Sequence, residues 1–156
     1  MPIHATFVGG VRALTVSQTR ALRRLLRELF AEGGGVPLYL HHTGAAPTGA
    51  EVHRMVMAMS NAMIREQGWL YPDPPITVEV HPIDSAETDA CHGASYYWRA
   101  APRMVAIRTM LGQTSRLIAT PSARSARDAA WVAIAEAHRM RRRVYVIGAR
   151  GAIHGR

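Results

Sequence analysis

The sequence contains a single cysteine and no lysine, and it lacks any long apolar run. Cys91 cannot form a disulfide within the chain, which is typical of proteins from a reducing compartment. No apolar stretch approaches the roughly 20 residues that a membrane-spanning helix needs, and the first residues show no signal-peptide pattern. We therefore expect a cytoplasmic protein without a membrane partner.

The 19 basic residues are all arginine, which gives the chain a formal net charge of +8. Uniform arginine indicates a bias of coding composition rather than selection at particular positions. Two clusters stand out, around Arg23 and Arg141, and the second follows a predicted helix, where cations complement the helix dipole. We interpret both clusters as solvated faces. Binding of a polyanion such as nucleic acid is the less favoured alternative.

The composition is that of a globular protein, with 48% hydrophobic and 19% charged residues. A chain of this length buries enough surface to form one sizeable core. Neither an internal repeat nor a linker rich in proline, glycine or serine separates two cores. The sequence therefore predicts one domain over residues 1–156.

Short apolar stretches alternate with longer stretches in which apolar residues recur at helical spacing. The first helical stretch shows the pattern clearly, with Ser17 as a candidate N-cap and three glycines after residue 32. The predicted strands cover residues 3–8, 36–41, 76–81, 116–119 and 144–147, the predicted helices cover 17–32, 50–67, 103–113 and 125–140, and 84–97 is a predicted surface loop. This order predicts an α/β fold: a Rossmann-like, doubly wound, mainly parallel five-stranded sheet with helices on both faces.

Glycines, hydroxyl residues and basic side chains follow the predicted strands where the next helices begin. In a parallel sheet these carboxyl ends share one edge, and ligands bind there. Glycine lets the backbone approach a ligand closely, and helix N-termini offer N–H groups to anions. We predict a phosphate-binding rim, which has neither a Gly-x-Gly-x-x-Gly motif nor a P-loop. The residues at these ends are Gly9, Gly10, Arg12, His42, Gly44, Gly49, Thr120, Pro121 and Ser125.

Several short segments resemble, in the same order, the motifs of the SLOG superfamily. These are Rossmann-like domains related to the Lonely Guy phosphoribohydrolases and to the DNA-processing protein DprA, and the match is closest to small stand-alone bacterial and phage members. The segments are Gly10-Val11-Arg12-Ala13-Leu14-Thr15, His42-Thr43-Gly44, Gly49-Ala50-Glu51-Val52-His53, Val80-His81-Pro82, Arg108, Leu117-Ile118-Ala119-Thr120-Pro121 and Trp131-Val132-Ala133-Ile134.

The resemblance implies a nucleotide-like ligand at the predicted rim. It implies contacts from Gly10, Arg12, Gly44, Gly49 and the turn before Trp131. Glu51 also resembles a site position of the family, although a glutamate in the first turn of a helix equally complements the helix dipole. Trp131 would stack on a base, or else pack in the core or at an interface.

Three positions depart from the pattern that the resemblance implies. Asp128-Ala129-Ala130 stands where the family has a glycine-rich or hydroxyl-bearing turn, so a negative charge replaces a phosphate cradle. Ala133 stands where the hydrolase branch has a glutamate, and Ile107 where an asparagine is usual. We interpret Asp128, three residues after Ser125, as part of a capping box and not as a general base. These departures disfavour a working phosphoribohydrolase.

We therefore predict binding of a nucleotide or a phosphate-bearing nucleotide derivative, in a sensor or sequestering module that is not an enzyme. One alternative is an enzyme similar to nucleoside-monophosphate phosphoribohydrolases, which cleaves an N-glycosidic or phosphoribosyl bond, with Arg12, Glu51 and Arg108 as catalytic candidates. A second alternative is a structural or nucleic-acid-binding protein with a degenerate pocket. None of these requires a cofactor.

Eight histidines raise the question of a metal site. His41 and His42 are neighbours on a predicted strand, so their side chains point to opposite faces of the sheet and cannot ligate one ion together. Hydrogen-bonded histidines are therefore the preferred interpretation, including His53. We expect no metal site.

The predicted helix over residues 50–67 is rich in methionine and apolar on more than one face. A helix of this kind is buried on both sides, by the sheet and by a second surface. Flexible methionines such as Met57 and Met63 suit an adaptable interface. We expect a homo-oligomer.

Overall fold

The structure is a computed structural model that describes residues 1–84, 91–122 and 127–155. Strands and helices alternate over most of this part of the chain. The strands are β1 (His4–Gly9), β2 (Leu38–His42), β3 (Ile76–Val80), β4 (Tyr96–Tyr97), β5 (Arg116–Thr120), β6 (Arg143–Ile147) and β7 (Ile153–His154). The helices are α1 (Val16–Glu32), α2 (Thr48–Gln67), α3 (Arg103–Gln113) and α4 (Ala129–Arg139).

The described strands form one sheet in the order β4-β3-β2-β1-β5-β6-β7. All neighbouring pairs are parallel except β6 and β7, which are antiparallel. The chain moves outward from β1 through β2 and β3, and then returns to place β5 on the other side of β1. The strand order therefore reverses beside β1, which creates a crevice outside the carboxyl ends of β1 and β5.

Two helices cover each face of the sheet. The apolar stripe of α1 includes Leu22 and Leu26, and it joins Val52 of α2 in a core cluster with Phe7 of β1. On the other face, α3 and α4 contribute to a second cluster that includes Leu117 of β5. Successive residues of β1 and β5 alternate between the clusters, as the two-residue period of a strand requires. The predicted α/β sheet with helices on both faces is thus confirmed.

The sheet has seven strands in the described part of the chain, so the predicted number of five is wrong. The two additional strands have only two residues each and lie at the edges of the sheet. β4 lies inside the region predicted as a loop, and its residues Tyr96 and Tyr97 are exposed. Two residues are too few to show an alternating pattern, so these strands depend on pairing with a neighbour that the sequence does not display.

The N-terminus of α1 differs from the prediction by two residues. Thr15, not Ser17, is the N-cap, because its hydroxyl accepts a hydrogen bond from the Gln18 backbone. The Gln18 side chain in turn accepts from the Thr15 N–H at 3.0 Å. This reciprocal capping box satisfies two N–H groups at the start of the helix.

None of the described helices combines the length and the hydropathy that a bilayer-spanning helix requires. The longest of them, α2, carries charged residues in both its first and its last turn.

Candidate ligand-binding cleft

A cavity of about 90 Å³ lies at the carboxyl edge of the sheet, beside the point where the strand order reverses. Gly9 and Gly10 line it from the end of β1, and Thr48 and Gly49 line it from the start of α2. Ile107 of α3 lines it as well. Four of the residues predicted for the rim lie together here: Gly9, Gly10, His42 and Gly49.

The glycines of this cleft are required by the packing of the protein itself. A Cβ atom on Gly9 would collide with the Thr48 side chain, and a Cβ atom on Gly10 would collide with Ser122. A Cβ atom on Gly49 would lie 2.6 Å from the Gly44 Cα atom. At these three positions glycine is therefore needed because neighbouring segments of the protein itself pack closely against its backbone.

The two helices that begin near the cleft differ at their N-termini. Pro47 precedes α2, and no side chain caps that helix. Asp128, which is fully buried, is the N-cap of α4 and accepts a hydrogen bond from the Ala130 N–H at 2.9 Å. Its second carboxylate oxygen accepts from the Ser122 N–H at 3.2 Å.

Asp128 does cap α4, but as the N-cap itself and not as the third residue of a capping box that begins at Ser125. Its carboxylate already accepts a hydrogen bond from the Ala130 N–H at the start of α4, which is where the SLOG resemblance implies a phosphate. The predicted helix start at residue 125 is wrong, because α4 begins at Ala129. Ser125 lies outside the described residues.

The charge of the cleft is positive. Arg103 of α3 and Arg127 line it, and the described lining residues include no carboxylate. Arg103 is exposed and forms no ion pair with any described residue. Neither arginine is among the residues predicted for the rim. Arg103 follows Pro102 at the start of a predicted helix, and that position could have indicated a cation beside a helix N-terminus.

His42 connects the cleft to a buried chain of hydrogen bonds. The Gly44 N–H donates to His42 Nδ1 at 2.9 Å, so the proton of the neutral ring is on Nε2. That atom lies 3.1 Å from His53 Nδ1, and His53 Nε2 lies 2.8 Å from the His92 carbonyl oxygen. Burial, followed by the neighbouring histidines, lowers the pKa of His42 to about 3. The ring is therefore neutral at neutral pH and holds the Gly44 backbone in place.

Gly44 does not line the cavity itself but lies against Gly49, which does. Its φ angle is 71°, a left-handed conformation that favours glycine. Thr120 ends β5 beside Gly9, and its buried hydroxyl has no hydrogen-bond partner among the described residues. Pro121 follows it and is half-buried.

The remaining predicted site residues do not line the cleft. Arg12 is exposed, and its backbone N–H donates to the Ser122 hydroxyl at 3.0 Å. Glu51 is half-buried in the first turn of α2. Arg108 forms an ion pair with Glu136 at 3.0 Å on the surface of α3 and α4. The structure does not bring the three catalytic candidates, Arg12, Glu51 and Arg108, into the cleft.

Trp131 is 40% exposed in the first turn of α4. It lines a separate surface depression together with Met104 and Val132. The predicted stacking of this indole on a base would therefore need a ligand that reaches from the cleft into this second depression.

Comparison of the chain with protein families, with curated proteins and with solved structures finds no match. The resemblance to the SLOG superfamily thus stays a prediction.

Proposed function

We propose that the protein binds a nucleotide or a phosphate-bearing nucleotide derivative in the cleft at the ends of β1 and β2, and that it acts as a sensor or sequestering module. The observation that carries the proposal is the meeting of three features in one cavity. These are the reversal of strand order, the N-terminus of α2 without a side-chain cap, and two arginines.

Each of these features favours an anion. Backbone N–H groups at a helix N-terminus and the helix dipole both favour negative charge. The Arg103 guanidinium can form two parallel hydrogen bonds to a phosphate. Because Asp128 already caps α4, we assign the phosphate to the α2 side of the cleft.

The size of the cavity and the residues that line it indicate which part of the ligand enters it. The cavity is small, and Phe7, Val8 and Ile83 line it together with the polar groups. We therefore expect the phosphate to occupy the cavity and the sugar and the base to lie at its open mouth.

Thermal unfolding in the presence of AMP, ADP-ribose, NAD and inorganic phosphate tests this proposal. We expect at least one phosphate-bearing ligand to raise the melting temperature of the wild type, since a ligand at 100 times its Kd stabilises by about 2.7 kcal/mol. Arg103→Gln should lower the affinity for that ligand by roughly 10- to 100-fold, because a hydrogen bond to a charged group contributes about 1.5–3 kcal/mol.

Arg20→Gln is the matched control, because Arg20 is an exposed arginine on α1 and does not line the cleft. It should leave the stabilisation unchanged. If none of the four compounds stabilises the wild type, or if Arg103→Gln is stabilised as strongly as Arg20→Gln, the proposed ligand or its place in the cleft is wrong.

A further inference from the structure

A second group of polar side chains lies on the face of the sheet that α3 and α4 cover. His4, His41 and Glu79 belong to the adjacent strands β1, β2 and β3. His41 pairs with Thr6 on one side and with Glu79 on the other, and His4 is two residues before Thr6. The three side chains therefore share one face. The core cluster of α3 and α4 includes residues of β1, β5 and β6 and none of the described residues of β2 or β3, so this part of the face is outside their apolar contact.

The atoms of this group are arranged as electron-pair donors around one point. His4, His41 and Glu79 each offer one ligand atom, and these three atoms all lie within 4.8 Å of one another. His41 Nε2 and Glu79 Oε2 are 3.2 Å apart. His41 is 1% exposed. His4 Nδ1 is buried and has no hydrogen-bond partner among the described residues. His41 Nε2 is buried as well and makes no hydrogen bond of good geometry there, and its polar neighbour is Glu79 Oε2. Buried polar atoms without partners are rare in proteins and call for a missing ligand or ion.

The outer atoms of the same side chains are held in place. His41 Nδ1 lies 2.8 Å from His81 Nε2, and the Trp98 indole N–H donates to Glu79 Oε1 at 3.1 Å. The His4 ring stacks on Tyr39 with its centroid at 4.5 Å. Metal-ligating histidines and carboxylates are oriented in this way, with the second nitrogen or oxygen hydrogen-bonded to an outer group.

We propose that His4 Nδ1, His41 Nε2 and Glu79 Oε2 form a binding site for a divalent transition-metal ion of the zinc type. Two histidines and one carboxylate with a further position open to water form a known ligand set for such ions. Zinc bonds of about 2.0–2.2 Å place tetrahedral ligand atoms roughly 3.3–3.5 Å apart. The His41–Glu79 pair, at 3.2 Å, is close to this spacing, and the His4 ligand atom lies within 4.8 Å of both.

The site is accessible from solvent. The Glu79 side chain is 18% exposed, and His4 is half-buried. An ion can therefore enter beside Glu79 while the His41 nitrogen remains buried behind it.

The sequence predicts no metal site because His41 and His42, as neighbours on a strand, point to opposite faces of the sheet. That premise is confirmed, because His41 belongs to the group described above while His42 pairs with His53 on a different side of its strand. The partners of His41 are instead His4 and Glu79, which lie on the adjacent strands β1 and β3.

A second buried group, His42, His53 and Cys91, also has ligand atoms within 4.8 Å of one another. It is a poorer site, because the Gly44 N–H donates to His42 Nδ1 and so places the ring proton on Nε2. That proton occupies the atom that would have to bind the ion. Substitution of His4 or Glu79 should therefore weaken metal binding, whereas substitution of Cys91 should not.

Titration of EDTA-treated, dialysed protein with Zn²⁺ by isothermal calorimetry tests the proposal, with Co²⁺ absorption as a spectroscopic readout of coordination. We expect the wild type to bind one ion. Glu79→Gln keeps the oxygen that Trp98 contacts, and His4→Phe keeps a ring to stack on Tyr39. Each should lower the affinity at least tenfold and weaken the Co²⁺ bands, with circular dichroism showing that the fold is retained.

His138→Phe is the matched control, since His138 is exposed in the last turn of α4, and it should bind as the wild type does. The proposal is overturned if the wild type binds no ion, or if His4→Phe and Glu79→Gln bind as tightly as His138→Phe. It is also overturned if Cys91→Ser abolishes binding while His4→Phe does not, because the ion would then occupy the other buried group.

Discussion

At the scale of single residues, Gly49 and Gly112 differ in whether the surrounding structure leaves room for a side chain. Both lie in helices, Gly49 in the first turn of α2 and Gly112 near the end of α3. A Cβ atom on Gly49 would lie 2.6 Å from the Gly44 Cα atom, whereas one on Gly112 would meet nothing within 4 Å. Alanine should therefore have opposite effects at the two positions.

We expect Gly49→Ala to lower the free energy of unfolding by about 1–3 kcal/mol or more, because the backbone of Gly44 must move. Gly112→Ala should raise it by roughly 0.5–1 kcal/mol, which is the cost of glycine relative to alanine in a helix. Urea denaturation of both variants measures the difference. Equal stability of Gly49→Ala and the wild type would contradict the close packing of α2 against the Gly44 loop.

The sequence places glycines after the predicted strands, but it does not show which residues contact those glycines in the folded protein. Turn signals after β1 and β2 are local, so Gly9, Gly10 and Gly49 could be selected from the sequence. The contact of Gly49 with Gly44, and that of Gly10 with Ser122, depend on tertiary structure and could not. Substitution of Gly49 consequently disturbs the fold as well as the cleft, which is why Arg103 is the better probe of ligand binding.

At the scale of elements, α4 depends on one buried carboxylate. Asp128 accepts hydrogen bonds from the Ala130 and Ser122 N–H groups, and it is fully buried. It therefore connects the start of the helix to the chain that follows β5. Its removal leaves two N–H groups without this acceptor.

Asp128→Ala should lower the free energy of unfolding by at least about 1–2 kcal/mol, the usual cost of a lost N-cap, and Asp128→Asn should lower it less because one acceptor oxygen remains. Chemical denaturation measures both values. Asp84→Ala is the control, since Asp84 is exposed and lies in no helix. If Asp128→Ala is as stable as Asp84→Ala, the capping interaction contributes nothing to stability.

The long elements could be predicted from the sequence because their patterns are local. The stripe that contains Leu22 and Leu26 is sufficient to identify α1, and the predicted range 103–113 of α3 coincides with the observed helix. Helix starts were less accurate, since Thr15 caps α1 through a contact with Gln18 that competes with the equally plausible Ser17. The edge strands β4 and β7 exist only through pairing, which a sequence pattern of two residues does not reveal.

At the scale of the whole molecule, the alternation of strands and helices was enough to predict a parallel sheet. The short connections and the right-handed crossovers of such sheets restrict the strand order, and the observed reversal beside β1 follows a common arrangement. The cross-strand group of His4, His41 and Glu79 could not be predicted, because it depends on the register between strands that are far apart in the sequence.

The homo-oligomer stays a prediction. Met55 and Met59 are buried in the core of their own chain, and Met57 and Met63 pack partly against that core. The methionines of α2 thus have contacts within the chain that account for much of their apolar character.

The most direct measurement of the central claim is an amide chemical-shift map of ¹⁵N-labelled protein titrated with AMP, ADP-ribose and NAD. We expect one of these ligands to shift the amide signals of Gly10, Thr48 and Gly49, while those of Ile153 and His154 at the far edge of the sheet stay in place. If no ligand shifts any signal at millimolar concentration, or if the shifts concentrate around Trp131 instead of the cleft, the proposed binding site is contradicted.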